Sequence, residues 1–168
     1  MRKIKVLEKV NVVTIQLVKE KSIVYRSKRI TCPGDVAIIA GDFLTGADRE
    51  HFVVMCLDTK NNVNALNTVA VGTLNSLPVH PREVFKAAIL ANSHAIVLIH
   101  NHPSGDPTPS KEDLEITRWL IEAGNIMGIE VFDHVVIGHD GDYVSLKERG
   151  DFSMQSKAHT TPWKHENR

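Results

Sequence analysis

The 168-residue chain is 42% apolar and 24% charged, enough to bury a core without staples and too balanced for collagen, coiled coil or wholesale disorder. Its 20 basic and 20 acidic residues cancel, which excludes a uniformly basic nucleic-acid binder, although residues 1–30 hold nine Lys/Arg against two acids and so form a basic third. Cys32 and Cys56 have no CxxC partner, which excludes a disulfide scaffold and a Cys-rich zinc site and fits a cytoplasmic location. Apolar runs such as 95–99 are too short to span a membrane, and MRKIKVLEKV lacks the continuous apolar stretch of a signal peptide.

In chain order, residues 12–18 (VVTIQLV) are β-branched and partly alternating, which predicts a strand; after a polar turn, 23–25 is expected to pair back onto it. Pro33 opens a predicted helix with Val36, Ala37, Ile39, Ala40, Phe43 and Leu44 at helical spacing and Gly46 as its stop. Residues 52–57 read as a strand, 58–62 (DTKNN) as a turn and 63–72 as the returning strand. Pro81 opens a helix that carries Val84, Phe85, Ala88 and Ile89 inward, with His80 placed to cap its start, or to sit at the mouth of a cleft, and Asn92 to cap its end. The apolar run 95–99 (AIVLI) predicts a strand covered on both faces.

A Pro- and Gly-rich loop, 103–109, leads to a helix opened by Ser110. Its expected core side is Ile116, Trp119, Leu120 and Ala123, with Gly124 after its end. Residues 129–137 and 143–146 read as closing strands around the turn 139–142. Strands alternating with helices give an α/β reading, a sheet with helices on its faces. Three parts follow: a basic, strand-like extension over 1–30 packed on the domain, the domain itself over 31–150, and a polar tail over 151–168 expected to be disordered.

The chemistry concentrates in HNHPSGDPTPSKED, residues 100–113. His100 and His102 stand two apart at the end of a buried strand, so both imidazoles can face one ion while Asn101 points away. Pro103 cannot donate to a ladder and is a natural end for the strand. The loop returns the chain to a helix whose first turn holds Asp113, and that carboxylate can complete a three-ligand set. Two neutral imidazoles and one carboxylate leave a fourth position for water, whose pKa zinc lowers to about 7. Imidazole ligands argue against Mg²⁺ or Ca²⁺, and Fe²⁺ ranks second to Zn²⁺. The plainer alternative for Ser110-x-x-Asp113 is a helix capping box, with Asp where Glu or Gln usually stands. For the histidines it is core packing, and His94, His134 and His139 are given no role.

The spacing HxH(x7)Sx2D, met by His100, His102, Ser110 and Asp113, resembles the zinc signature of the JAMM (JAB1/MPN) metallopeptidases. The longer string HNHPSGDPTPS, with VHPREVFKAAI upstream and DHVVIG and SLKERG downstream, is similar to the RadC-like branch of that family from about Ile30 to Gly150. Bacterial RadC proteins usually carry an N-terminal helix-hairpin-helix-type region; the basic segment in its place makes this chain resemble a free-standing RadC domain. The resemblance implies a cytidine-deaminase-like (JAB/MPN) α/β fold, a mixed sheet flanked by helices, and hydrolysis of a peptide or isopeptide bond in a peptide or protein substrate. It also implies zinc on His100, His102 and Asp113, with Ser110 helping to stabilise the oxyanion. An upstream glutamate is expected as the general acid/base. Glu50 matches its position, and the rival Glu83 is explained by a helix dipole.

Two other functions compete. One is an interaction module that binds metal structurally. Another is a DNA-repair-associated RadC-like factor, with weak nucleic-acid contact through the basic N-terminal third. A zinc nucleobase deaminase is excluded because HxE…PCxxC is missing. No membrane partner is expected. Exposed edges on a small sheet suggest a homodimer, and Asn75 and Ser76 are expected to line a groove or make a turn.

Overall fold

The computed structural model describes residues 10–25, 27–72 and 79–152. Pro33 starts α1 (Pro33–Leu44), and Asp35 caps it by accepting the Thr31 N–H and hydroxyl and the Cys32 N–H. The chain continues through β1 (Glu50–Leu57), β2 (Val63–Gly72), α2 (Pro81–Leu90), β3 (Ala95–Asn101), α3 (Lys111–Met127), β4 (Glu130–Ile137), β5 (Tyr143–Ser145) and α4 (Leu146–Arg149). The strands form one mixed sheet in the order β2-β1-β3-β4-β5. β1 runs antiparallel to β2 and β3, β3 parallel to β4, and β4 antiparallel to β5. A parallel neighbour needs a crossover, and α3 is that crossover.

Alternation along the central strands explains two cores. Phe52, Val54, Ile96 and Leu98 face α2 and α3, where they meet Val84, Phe85 and Leu120. Val53, Met55, Val97 and Ile99 face the other way and meet Val36, Ile39 and Ala40 of α1. β3 is therefore buried at every position, which accounts for its unbroken apolar run. This is the mixed sheet flanked by helices expected of a JAB/MPN domain. Among the described residues no helix is long and apolar enough to cross a membrane.

The structure departs from the sequence expectations at several places, one of them Ile89, which is expected on the inner side of α2 but is 56% exposed while Ala87 is buried. No strand forms at 12–18 or 23–25, and Val12 and Val13 are 99% and 76% exposed. β-branched residues favour extended backbone, but a two-stranded hairpin that packs on nothing is not stable in water. The extension meets the domain where the Tyr25 hydroxyl donates to the Ile39 carbonyl and Arg29 bridges to Asn62. α3 also runs past Gly124 to Met127 and ends at a left-handed Gly128. Finally, Trp119 is 46% exposed and lies edge-on against His80, while the buried stripe of α3 is Asp113, Thr117, Leu120, Ile121 and Gly124. His80 caps α2 by accepting the Arg82 N–H. Asn75, Ser76 and the tail from 153 onward lie outside the described residues.

Gly124 is a close-approach residue. A Cβ there would sit 2.5 Å from the Ile129 carbonyl oxygen and 3.3 Å from the Phe85 ring, whereas at Gly41 in α1 it would meet nothing within 4 Å. Helix propensity alone favours alanine at both by about 1 kcal/mol, but overpacking against backbone costs about 1–3 kcal/mol. Gly41→Ala is expected to raise the urea midpoint and Gly124→Ala to lower it; a rise for Gly124→Ala would show that the crossover packs loosely on the sheet.

Candidate metal centre

The end of β3 and the start of α3 build the site. Strand period two puts His100 and His102 on one face. The loop 103–109 brings α3 back over that face, and Asp113, in its first turn, points inward fully buried. His100, His102 and Asp113 each offer a ligand atom, all within 4.8 Å of one another. The two Nε2 atoms are 3.0 Å apart. His100 Nε2 is 3.3 Å from Asp113 Oδ1, and His102 Nε2 is 3.6 Å from Asp113 Oδ2. Tetrahedral ligands at about 2.0–2.1 Å from zinc stand roughly 3.3 Å apart, so the spacing suits one such ion.

Asp113 divides its work between its oxygens. Oδ2 accepts the Ser110 backbone N–H and hydroxyl, both at 2.7 Å, and Ser110 Oγ in turn accepts the Asp113 N–H. That is the capping box, so the plainer alternative is present in full. It leaves Oδ1, which is buried and receives no hydrogen bond. A buried carboxylate oxygen without a partner is costly, and a cation removes that cost. His102 supports the same reading. Its Nδ1 lies 2.7 Å from the Asp106 carbonyl oxygen, which only accepts, so the ring proton is on Nδ1 and Nε2 carries a lone pair. These residues therefore fit a divalent ion with nitrogen and oxygen ligands.

Without an ion, a proton competes for the same atoms. Burial pushes the Asp113 carboxyl up, but His100, His102 and Ser110 outweigh it and hold the group well below the usual carboxylate range. The Asp113 carboxylate, above all, raises His102 against its burial, with smaller help from the Asp106 carbonyl and the charge of Glu50.

Glu50 opens β1. The antiparallel pairing of β1 with β3 reaches Phe52 opposite His100, two residues short of Glu50 and His102, and the charge of Glu50 acts on His102. Asn101 holds this end together. It faces away from the ion site, as strand alternation requires. Its Oδ1 accepts the His51 N–H at 2.8 Å and its Nδ2 donates to the Arg49 carbonyl at 3.0 Å, so one side chain brackets Glu50 on both sides. The rival Glu83 is bound to Lys86 and lies near Arg82, half-buried on α2. A cleft of about 840 Å³ reaches His102 and Asn101 from the α1 side, with Asp42, Asp48 and Asp140 among its walls.

Sequence reasoning gave no role to His134 and passed over Thr117. Both are buried beside the site: His134 Nε2 is 2.8 Å from His100 Nδ1, and its Nδ1 is 2.5 Å from Thr117 Oγ1. Burial, and then the neighbouring His100, push the His134 imidazole well below its ordinary value. The one available signal was Thr117 four residues after Asp113, on the same helix face.

A sequence model of the RadC-like JAB domain matches residues 30–151. A "UPF0758 protein" of Desulfitobacterium hafniense is 57% identical over 121 residues, which cover 72% of this chain and 53% of the relative. One of Caldanaerobacter subterraneus is 52% identical over 126 residues, 75% of this chain and 54% of the relative. One of Methanosarcina barkeri is 45% identical over 131 residues, 77% and 57%. The chain spans about half the length of these curated relatives.

The raised His102 and lowered His134 set a pH dependence for protein held in chelator. A raised imidazole stabilises fully below its unfolded value of about 6.5 and loses this as pH climbs to its folded value. A lowered imidazole stabilises fully above about 6.5 and loses this as pH falls toward its folded value. Stability in chelator is therefore expected to peak near pH 6.5, read as urea midpoints from about pH 5 to 8. Excess zinc should move the maximum upward, because the ligands bind deprotonated. A monotonic profile in chelator would contradict the assignment.

Proposed function

The chain belongs to the RadC-like JAB domain family, and from that premise we propose that it is a zinc-dependent hydrolase acting on a peptide or isopeptide carbonyl. The observation that carries this reading is the convergence of His100 Nε2, His102 Nε2 and the unpartnered Asp113 Oδ1. A zinc ion held there would supply a Lewis acid and would lower the pKa of a bound water to about 7. Imidazole ligands favour zinc over magnesium or calcium, and Fe²⁺ is the second choice for the same donor set.

The roles of the protein's own groups follow from their places. Glu50, whose charge acts on His102 and which Asn101 brackets, takes the proton from the attacking water and returns it to the departing amine. Asp113 keeps the start of α3 in place through Oδ2, and its Oδ1 would hold the ion. The Ser110 hydroxyl is donated to Asp113 Oδ2. To steady a developing oxyanion it must rotate out of that bond, leaving the backbone N–H of Ser110 to hold the carboxylate.

The test is hydrolysis of α-linked and ε-linked peptides by zinc-loaded protein. Chelation should abolish turnover and zinc should restore it. Glu50→Gln is expected to keep stoichiometric zinc while kcat falls at least about 10²-fold. Undiminished turnover in that variant would remove Glu50 from the mechanism. Full zinc occupancy with no cleavage of either linkage would favour an interaction module.

A further inference from the structure

The buried contacts behind His100 can be oriented one proton at a time. Thr117 Oγ1 lies 2.5 Å from the Asp113 backbone carbonyl oxygen, which can only accept, so the hydroxyl proton goes there. The Thr117 oxygen must then accept from its other neighbour, and the proton of that contact sits on His134 Nδ1. A second proton on His134 would make a fully buried imidazolium whose ring nitrogens contact His100 and Thr117 rather than a carboxylate, an expensive arrangement. His134 Nε2 therefore carries a lone pair and accepts from His100 Nδ1 at 2.8 Å. The chain ends at His100 with the proton on Nδ1 and the lone pair on Nε2, the atom aimed at His102 and Asp113.

Two further features hold this geometry. Phe52 lies parallel to the His100 ring at 6.2 Å and 7° and meets His134 edge-on at 5.6 Å, so one aromatic side chain flanks both rings. The β3–β4 register also shifts between Ile96 and Val97, which pair with Val131 and Asp133 and leave Phe132 without a partner. Val131 packs in the α2/α3 core and Phe132 against the α1 core. Simple alternation from Val131 would send His134 toward α1. The extra residue turns it to the α3 face, a recognised use of a register irregularity beside a site.

We propose that Thr117 and His134 are positioning residues that fix the tautomer and ring plane of His100, so that its Nε2 lone pair is presented to the ion. The inference rests on the metal reading above and deepens it. His134 touches neither ion nor substrate; it acts through His100. Outer partners of this kind typically change metal affinity 10–100-fold when removed.

The experiment is zinc affinity by chelator competition on the full chain, alongside the thermal midpoint of protein held in chelator and the visible spectrum of the cobalt-loaded form. His134→Phe removes the acceptor and is expected to weaken zinc 10–100-fold and alter the cobalt spectrum. His134→Gln places a carbonyl oxygen near the position of Nε2 and is expected to restore affinity to within a few-fold of the parent. Thr117→Val, nearly isosteric, should shift affinity in the same direction as His134→Phe by a smaller factor, and it stands in should His134→Phe fail to fold. Parent-like zinc binding in His134→Phe, or in Thr117→Val where that variant stands in, would overturn the proposal. So would an affinity in His134→Gln as weak as in His134→Phe and tracking the thermal midpoint, because packing alone would then explain the loss. A parent protein that binds no zinc would overturn the metal reading itself, and this proposal with it.

Discussion

The crowding of three donor atoms into one buried corner sets the terms for this structure. Two imidazole nitrogens and a carboxylate oxygen are held about one ligand spacing apart, close enough that a proton or a cation must be shared among them. Left alone, such atoms would separate or gain a proton. The fold holds them by anchoring each from behind: His100 on His134, His102 on the Asp106 carbonyl, and Asp113 on the Ser110 amide and hydroxyl. The site is thus assembled by its supports as much as by its ligands, which is the general condition for a preorganised centre.

Where those supports sit follows from topology. β3 and β4 are parallel, so α3 must cross between them, and its first turn passes over the end of β3. The carboxyl edge of an open sheet is the usual place for a ligand in such folds. β1 runs the other way and begins at that same edge, which brings the charge of Glu50 within reach of His102. Asn101 extends the β1–β3 pairing with its side chain, bonding Arg49 and His51.

Much of this could be read from sequence because local rules decided it. Period two on a strand places His100 beside His102, a Pro closes the strand, and a Ser-x-x-Asp cap opens the helix; these were legible, as were the limits of α1, β2 and α2. What escaped reading depends on long-range pairing. His134 reaches the site through a register shift at Phe132 that reverses the face expected from alternation, and nothing local announces it. Gly124 looks like a helix stop, yet its lack of a side chain serves contact with Ile129 and Phe85 rather than termination. Trp119 fits the helical stripe by spacing, but the stripe that packs is rotated toward Thr117 and Ile121. Residues 12–18 have the composition of a strand and no ladder to join.

The two oxygens of Asp113 also bear on how the protein matures. The tie to Ser110 uses Oδ2 alone and needs no ion. The crossover helix is therefore nucleated by its own residues, and the sheet it spans has an apolar core on each face. A zinc finger cannot reach its shape until the ion arrives. Here the helix cap and the two apolar cores are complete without an ion, so the topology is expected to form first and any metal to bind a site already shaped for it.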